Sequence, residues 1–375
     1  MRSYAQMVSK RFILKRLLLL IPVLLGVGTL VFAVLHLSPG DPARVILGQR
    51  ASAQEVADLR EGLGLNDPIW IQYLRFLWEA AQFEFGESYK IFQGQTVKSV
   101  LVDKLPVTIE LALYGQIIGI TLGIPLGILS AVKQDSVVDH VTRIGALTGI
   151  SVPIFWSGPL VILLFATYLD WLPTSGRIGA TIFLDDTWMP FTFLPEGFSQ
   201  QLPWFGGPVV ISKATEWPLT GMVTIDTLLL QNWEAFISAG QHLLLPSAVI
   251  GIYSMALISR MMRSSMLEVV RQDYMRTARA KGQGAKITIM KHGLRNAFIP
   301  VVTVIGIQFG TLLGGAVLTE TVFGIGGIGV MLVNAIEVSD YNLVQGTVLT
   351  FALLFTLVNL GVDITYSYLD PRIQQ

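Results

Sequence analysis

Asp273-Tyr-Met-Arg-Thr-Ala-Arg-Ala-Lys-Gly282 and, further on, His292-Gly-Leu-Arg-Asn-Ala-Phe-Ile-Pro300 form a polar, basic stretch between two long apolar runs. From Arg260 to Arg295 it carries nine Lys or Arg against two acids, Glu268 and Asp273. A stretch of that charge between membrane spans is retained in the cytoplasm. It is long enough to form a docking surface for a cytoplasmic protein. Within it, Arg276-Thr-Ala-Arg-Ala-Lys-Gly282 suits a short helix, because glycine is the usual left-handed terminator. The small side chains of Ala278 and Ala280 would allow a close fit into a groove. The lesser alternative, from the residues alone, is a basic loop resting on anionic headgroups.

The composition agrees with a chain built for the membrane. Of 375 residues, 52% are hydrophobic and 14% charged, where soluble domains carry about 25% charged residues. The net charge is zero, so the balance as a whole points to no nucleic-acid partner and only local charge is informative. The absence of cysteine excludes disulfides and thiolate chemistry. His36, His140, His242 and His292 show no metal-ligand spacing, and no metal site is expected.

Spanning requires about 20 mostly apolar residues. Six segments meet or approach this: Leu17–Leu37, Pro106–Ala131, Ile144–Leu169, Leu243–Ser259, Ala297–Thr319 and Tyr341–Val362. The first is too long for a signal-peptide core and no small-x-small cleavage site follows it, so it reads as a retained span. The fourth is expected to continue past Arg260 toward Met266. All should be helical, since lipid requires backbone hydrogen bonds to close within the segment. The charges orient them. The first 16 residues hold five Lys or Arg and no acid; residues 38–105 hold nine acids against seven bases; 170–241 hold seven against two; 320–340 hold no Lys or Arg. The predicted fold is an all-α membrane protein with six transmembrane helices, cytoplasmic N- and C-termini and sizeable extracytoplasmic loops. Residues 1–105 form an N-terminal span with its extracytoplasmic segment. Residues 106–375 form a five-span core with an inner loop at about 260–296 and a long outer loop at about 170–241.

Two glycine stripes stand out. Gly115, Gly119, Gly123 and Gly127 recur every four residues, as do Gly306, Gly310 and Gly314. That spacing places each set on one helix face and suits close helix approach in lipid; the alternative is that a stripe lines a pathway. Pro22, Pro125 and Pro153 should kink their spans. Gly324-Ile-Gly-Gly-Ile-Gly329 matches a dinucleotide fingerprint in letters only, because it follows a membrane span rather than a strand; a turn that lets the chain re-enter the membrane edge is expected. No P-loop sequence is present. Ionisable groups within the spans are nearly absent: Glu110 lies about one turn into the second span and Asp363 ends the sixth. Carriers driven by protons or sodium place such groups mid-membrane, so energy is expected to arrive from another subunit. The competing reading, a self-sufficient secondary transporter, would need a mid-membrane charge or a broken helix pair with an inverted repeat. A membrane enzyme ranks lower, since no constellation for chemistry is visible.

A dozen short motifs then add a resemblance over nearly the whole chain. They include Pro39-Gly-Asp-Pro-Ala43, Gly64-Leu-Asn-Asp-Pro68, Phe85-Gly-Glu-Ser88, Leu105-Pro-Val-Thr-Ile-Glu-Leu111, Ser151-Val-Pro-Ile-Phe-Trp156, Arg263-Ser-Ser-Met-Leu-Glu-Val269, Glu320-Thr-Val-Phe323 and Leu369-Asp-Pro-Arg372. In this order the chain resembles the inner-membrane permeases of ATP-binding-cassette importers for oligopeptides, dipeptides or nickel, the B-type member of the permease pair. The resemblance implies a non-enzymatic translocation subunit of the cytoplasmic membrane. It would pair with a second, homologous permease, dock two cytoplasmic ATP-binding subunits and receive substrate from an extracytoplasmic binding protein. No cofactor would be bound by this chain; ATP and Mg would be used by the partner subunits.

Carried over by residue, the resemblance makes Asp273, Arg276, Thr277, Ala278, Arg279, Ala280, Lys281 and Gly282 the ATPase-coupling loop. Glu320, Phe323 and Asp340 fall at the extracytoplasmic mouth. Arg276-Thr-Ala stands where the general permease motif has Glu-Ala-Ala. Gly326-Gly327 replaces the family's Pro-Gly, and Asp340-Tyr341-Asn342 its Asp-Tyr-Pro. The outer loop Arg177–Gly221 is long and rich in Trp, Phe and Pro, including Trp188, Phe191, Trp204 and Trp217. An aromatic belt on the membrane, or an extended contact with a binding protein, would account for it.

Overall fold

Six apolar stretches that alternate in direction can bury their polar backbone only as a bundle of helices. The computed structural model has that architecture and describes residues 10–37, 41–48, 50–179 and 220–369. The aromatic loop residues 180–219 and the last motif beyond Leu369 lie outside the described residues.

Helix α1 (Lys10–Leu37) is followed by three shorter helices, α2 (Pro42–Leu47), α3 (Ala53–Gly62) and α4 (Ile69–Ala81). Asp41 caps α2, and Ser52 with Glu55 forms a reciprocal capping box on α3. The second span, α5 (Val97–Val132), starts nine residues before Pro106, because Thr96 caps it by accepting from the Ser99 amide at 3.2 Å. Pro106 and Pro125 lie inside the continuous helix. The 36 residues of α5 measure about 54 Å at 1.5 Å each, well beyond a hydrocarbon core of about 30 Å.

The third expected span is not one helix. α6 (Val137–Ser151) and α7 (Ile154–Val161, continued as a π-helical turn through Tyr168) meet at 104°. Pro153 is the cause: the residue before a proline is driven out of the helical region, and Val152 takes ψ 118° while Pro153 takes ψ 137°. Helix α8 (Val223–Leu229) leads to α9 (Trp233–Val270), which continues past Arg260 as expected. There follow α10 (Asp273–Ala280), the single turn α11 (Ala285–Ile287) with a π-helical turn, α12 (Leu294–Gly315), α13 (Val317–Val322), α14 (Ile328–Glu337) and α15 (Tyr341–Leu369). Among the described residues five helices have the length and composition to cross a membrane, six if the bent pair α6–α7 counts as one broken span. The described residues contain no strand, only one isolated bridge between Glu87 and Thr96.

α5 and α9 form the central pair. They run parallel, with Gly115, Gly119, Gly123 and Gly127 facing Ile250, Ser254, Ile258 and Met262 in turn. Three apolar clusters stack along this pair. Val97, Leu101, Ile328 and Leu343 sit at one end. Leu111, Ile250, Leu312 and Phe323 fill the middle. Ile258, Met262, Met266 and Val301 occupy the end that leads to α10.

Candidate functional site

The basic stretch folds as a short helix standing on a single buried anchor. In α10 only Met275 is fully buried. Its Cε methyl lies against Gly293, beside the Cε methyl of Met266 in α9. Asp273, Arg276, Thr277, Arg279, Ala280, Lys281 and Gly282 are exposed, and Ala278 is half-buried. The helix ends in a Schellman arrangement. The Gln283 amide donates to Ala278 O at 3.3 Å and the Gly282 amide to Arg279 O at 3.0 Å. Gly282 has φ +76°, a conformation that a side chain makes unfavourable by roughly 1–2 kcal/mol. Asn296 of α12 donates to the Tyr274 hydroxyl at 3.1 Å, so the following span holds the helix as well. The result is a rigid, polar knob, basic on its outer face, joined directly to the ends of two spans.

A buried ion pair fixes the end of α9 from which the knob projects. Arg263 donates from Nε and Nη2 to the two carboxylate oxygens of Asp139, both at 2.7 Å. Ser130 Oγ and the Asp135 amide donate to the same carboxylate, which is fully buried. The α5–α6 turn, balanced in charge and uninformative as sequence, therefore supplies the counter-ion that lets an arginine sit in an apolar helix. Nothing in local sequence announces a partner 124 positions away.

Glu110 is the second case. With α5 starting at Val97, it lies over three turns into the helix rather than about one, since Thr96 and not Pro106 sets the start. It is buried and satisfied: Arg177 donates to it at 2.7 Å, and Thr224 donates from both its amide and its hydroxyl. The pair Glu110–Arg177 binds the start of the long loop onto α5, and Arg177 also reaches Gly221 O at the loop's far end.

The predicted mouth residues take structural positions around α14. Glu320 is fully buried and accepts from the Thr108 hydroxyl and, at 3.0 Å, from the Val330 amide in the first turn of α14. Thr108 in turn accepts from the Ile328 amide at 3.0 Å. A carboxylate against free amides at a helix start is favourable, yet burial pushes the Glu320 carboxyl above its ordinary range against those hydrogen bonds. Gly327 and Gly329 pass so close to Glu320 that a Cβ at Gly327 would overlap its carboxylate. The glycine-rich motif is thus a tight turn into the short apolar helix α14. Phe323 fills the central cluster. Asp340 precedes α15 and accepts from Ser88 Oγ at 2.6 Å and the Lys90 amide at 3.1 Å.

In the other glycine stripe, Gly306 faces Val362 and Gly310 faces the Phe355 ring, whereas Gly314 faces open space. The bend between α6 and α7 opens a cavity of about 370 Å³ against α9, lined by Thr148, Gly149, Ser157, Val249 and Tyr253 among others. Irregular backbone at membrane depth is tolerated where it is buried or lines such a cavity. No group of His, Cys, Asp or Glu among the described residues has metal-site geometry.

The order of these elements, with a basic helical knob between two spans, can be compared with known proteins. The model of the family described as "binding-protein-dependent transport system inner membrane component" matches residues 123–375, and that of its N-terminal region matches residues 9–112. The chain belongs to this family. Dipeptide transport system permease proteins of Alkalihalophilus pseudofirmus and Escherichia coli K12 are each 42% identical to it. The first covers 97% of this chain and 99% of the relative; the second, 97% and 98%. A glutathione transport system permease protein of Salmonella paratyphi A is 36% identical, over 97% of this chain and 98% of its own length. This chain is accordingly a multi-pass permease of the cytoplasmic membrane, of the peptide group of ATP-binding-cassette importers. The broken span, a feature expected of a self-sufficient carrier, occurs here within such a permease. Such a system contains further components.

Proposed function

We propose that this permease forms half of the translocation path for short peptides, paired with a second homologous permease. Its partners would be two cytoplasmic ATP-binding subunits and an extracytoplasmic binding protein. The relatives named for dipeptide transport support the substrate class. The observation that carries the mechanism is α10: a short, exposed, basic helix anchored by Met275 and stopped by Gly282 at φ +76°. Its flanks are the ends of α9 and α12, so a displacement of α10 by an ATPase is delivered to two spans without slack. Charge asymmetry supports a cytoplasmic position for α10 and an extracytoplasmic one for the ends near Asp340 and Glu110. ATP, with Mg, would be hydrolysed by the partner subunits.

The test is Gly282→Asp in the reconstituted transporter. A side chain at a left-handed position, bearing a negative charge on a basic surface, should abolish peptide-stimulated ATP hydrolysis and uptake while the permease still inserts. Normal stimulation in that variant would remove α10 from the ATPase contact. Uptake of a labelled dipeptide by the wild type tests the substrate class separately.

A further inference from the structure

Helix α4 divides into three faces, and one of them has no covering among the described residues. Trp70, Leu74 and Trp78 recur at intervals of four, on one side of the helix, and are 62%, 56% and 71% exposed. A second face packs on α1. The Tyr73 hydroxyl meets Thr29 Oγ1 at 2.7 Å, Phe76 lies 5.6 Å from Phe32 between ring centroids, and Phe76 and Leu77 are the nearest side chains to Gly28. The third face is polar. Gln72, Arg75 and Glu79 turn toward a cavity of about 950 Å³.

The packing on α1 sets the depth of this helix. The membrane-crossing part of α1 runs Leu14–Val34, and its own Leu30 and Val34 are 67% and 64% exposed. Contacts proceed from His36 with Gln72, through Phe32 with Phe76, to Gly28 with Leu77. α4 therefore descends along α1 as its residue numbers rise. Gly28 lies six residues before Val34, roughly 9 Å below the end of the span at 1.5 Å per residue. Leu74 and Trp78 sit at the level where α1 exposes leucine and valine to its surroundings. That surface is continuous with the lipid-facing surface of α1. Tryptophan favours the boundary between headgroups and acyl chains, and a helix with an uncharged aromatic face opposite an Arg–Glu face suits that boundary.

We propose that α4 is an interfacial membrane helix. Its Trp70–Leu74–Trp78 stripe is immersed in the acyl–headgroup boundary of the leaflet reached by the C-terminal end of α1. The occupant of this face is bilayer lipid. The helix thereby forms a wall of the adjoining cavity, with Gln72, Arg75 and Glu79 on the cavity side and lipid on the other. This reading is independent of substrate class and of sidedness.

The chain contains no cysteine, so single thiols can be placed without background from it. Leu74→Cys and Trp78→Cys, with Glu79→Cys on the polar face for comparison, are labelled with a nitroxide in the full-length permease in lipid nanodiscs. They are examined again in the complete transporter with partner cysteines replaced. Collisions with oxygen, which concentrates in lipid, should exceed those with a water-soluble nickel chelate at 74 and 78, with the preference reversed at 79. Preference for the nickel chelate at 74 and 78 would place the stripe in water and overturn the proposal. Protection from both reagents would show a protein covering, whether another segment, a second permease or a binding protein, and would overturn it equally. Leu74→Cys makes the smallest change, so the result stands even if Trp78→Cys fails to fold.

Discussion

Glu320 shows how much a single side chain can carry in this protein. It joins α13, the start of α14 and Thr108 of α5 through one buried carboxyl group. Burial raises its pKa above the ordinary 4.5, so the folded state holds the proton more tightly than the unfolded state. Its stabilising contribution is then complete below about 4.5 and is lost as pH rises through the raised value. Glu320→Gln carries no titrating proton. The thermal midpoint of the wild type relative to that variant should fall as pH is raised from about 4 toward about 8, measured in one detergent. A constant difference would show that Glu320 does not titrate in this range. Glu320 was legible in the sequence as one member of a four-residue motif. Its partner Thr108 was not, because a threonine in an apolar helix has no local mark of its bonding.

At the scale of elements, pairs of helices are held by two devices, small residues and buried ion pairs. The α12–α15 contact depends on Gly310, where an added Cβ would lie 2.5 Å from the Phe355 ring. Gly310→Leu should cost about 1–3 kcal/mol through overpacking, seen as a lower thermal midpoint in detergent. A stable variant that assembles but does not transport would instead assign this stripe to the pathway. The α6–α9 contact depends on Arg263. Arg263→Ala leaves Asp139 buried without its cation, which should cost about 3–5 kcal/mol. Arg263→Met combined with Asp139→Leu should recover most of that loss, because an apolar pair needs no desolvation. If the single and double variants are equally unstable, the ion pair is not the source of the effect. Both glycine stripes could be read from spacing alone. Their neighbours could not, and Gly314, which matches the spacing, faces open space.

For the molecule as a whole, the alternation of spans makes sidedness a single binary choice. The charge distribution predicts α10 inside and α3 outside. Lys286→Cys and Ala53→Cys, both at exposed positions, should separate cleanly in intact cells: an impermeant maleimide should label residue 53 and leave residue 286 unmodified. The reverse pattern would invert every loop at once.

Apolar run length was sufficient to predict an all-α membrane protein, with five spans or six counting the bent pair, because spanning is a one-dimensional requirement on about 20 consecutive residues. A short helix stopped by Gly282 was also predictable, since a helix terminator acts through its own backbone; it begins at Asp273, three residues before the expected Arg276. Three features required the folded chain. The break at Val152–Pro153 is a 104° turn, where the proline by itself implied only a kink; Pro22 and Pro125 lie within unbroken helices. The counter-ions of Glu110 and Arg263 are 67 and 124 residues distant, and α4 acquires its depth only by lying along α1. In each case the deciding free energy comes from groups remote in sequence, brought together by packing, and no local pattern encodes which partner will arrive.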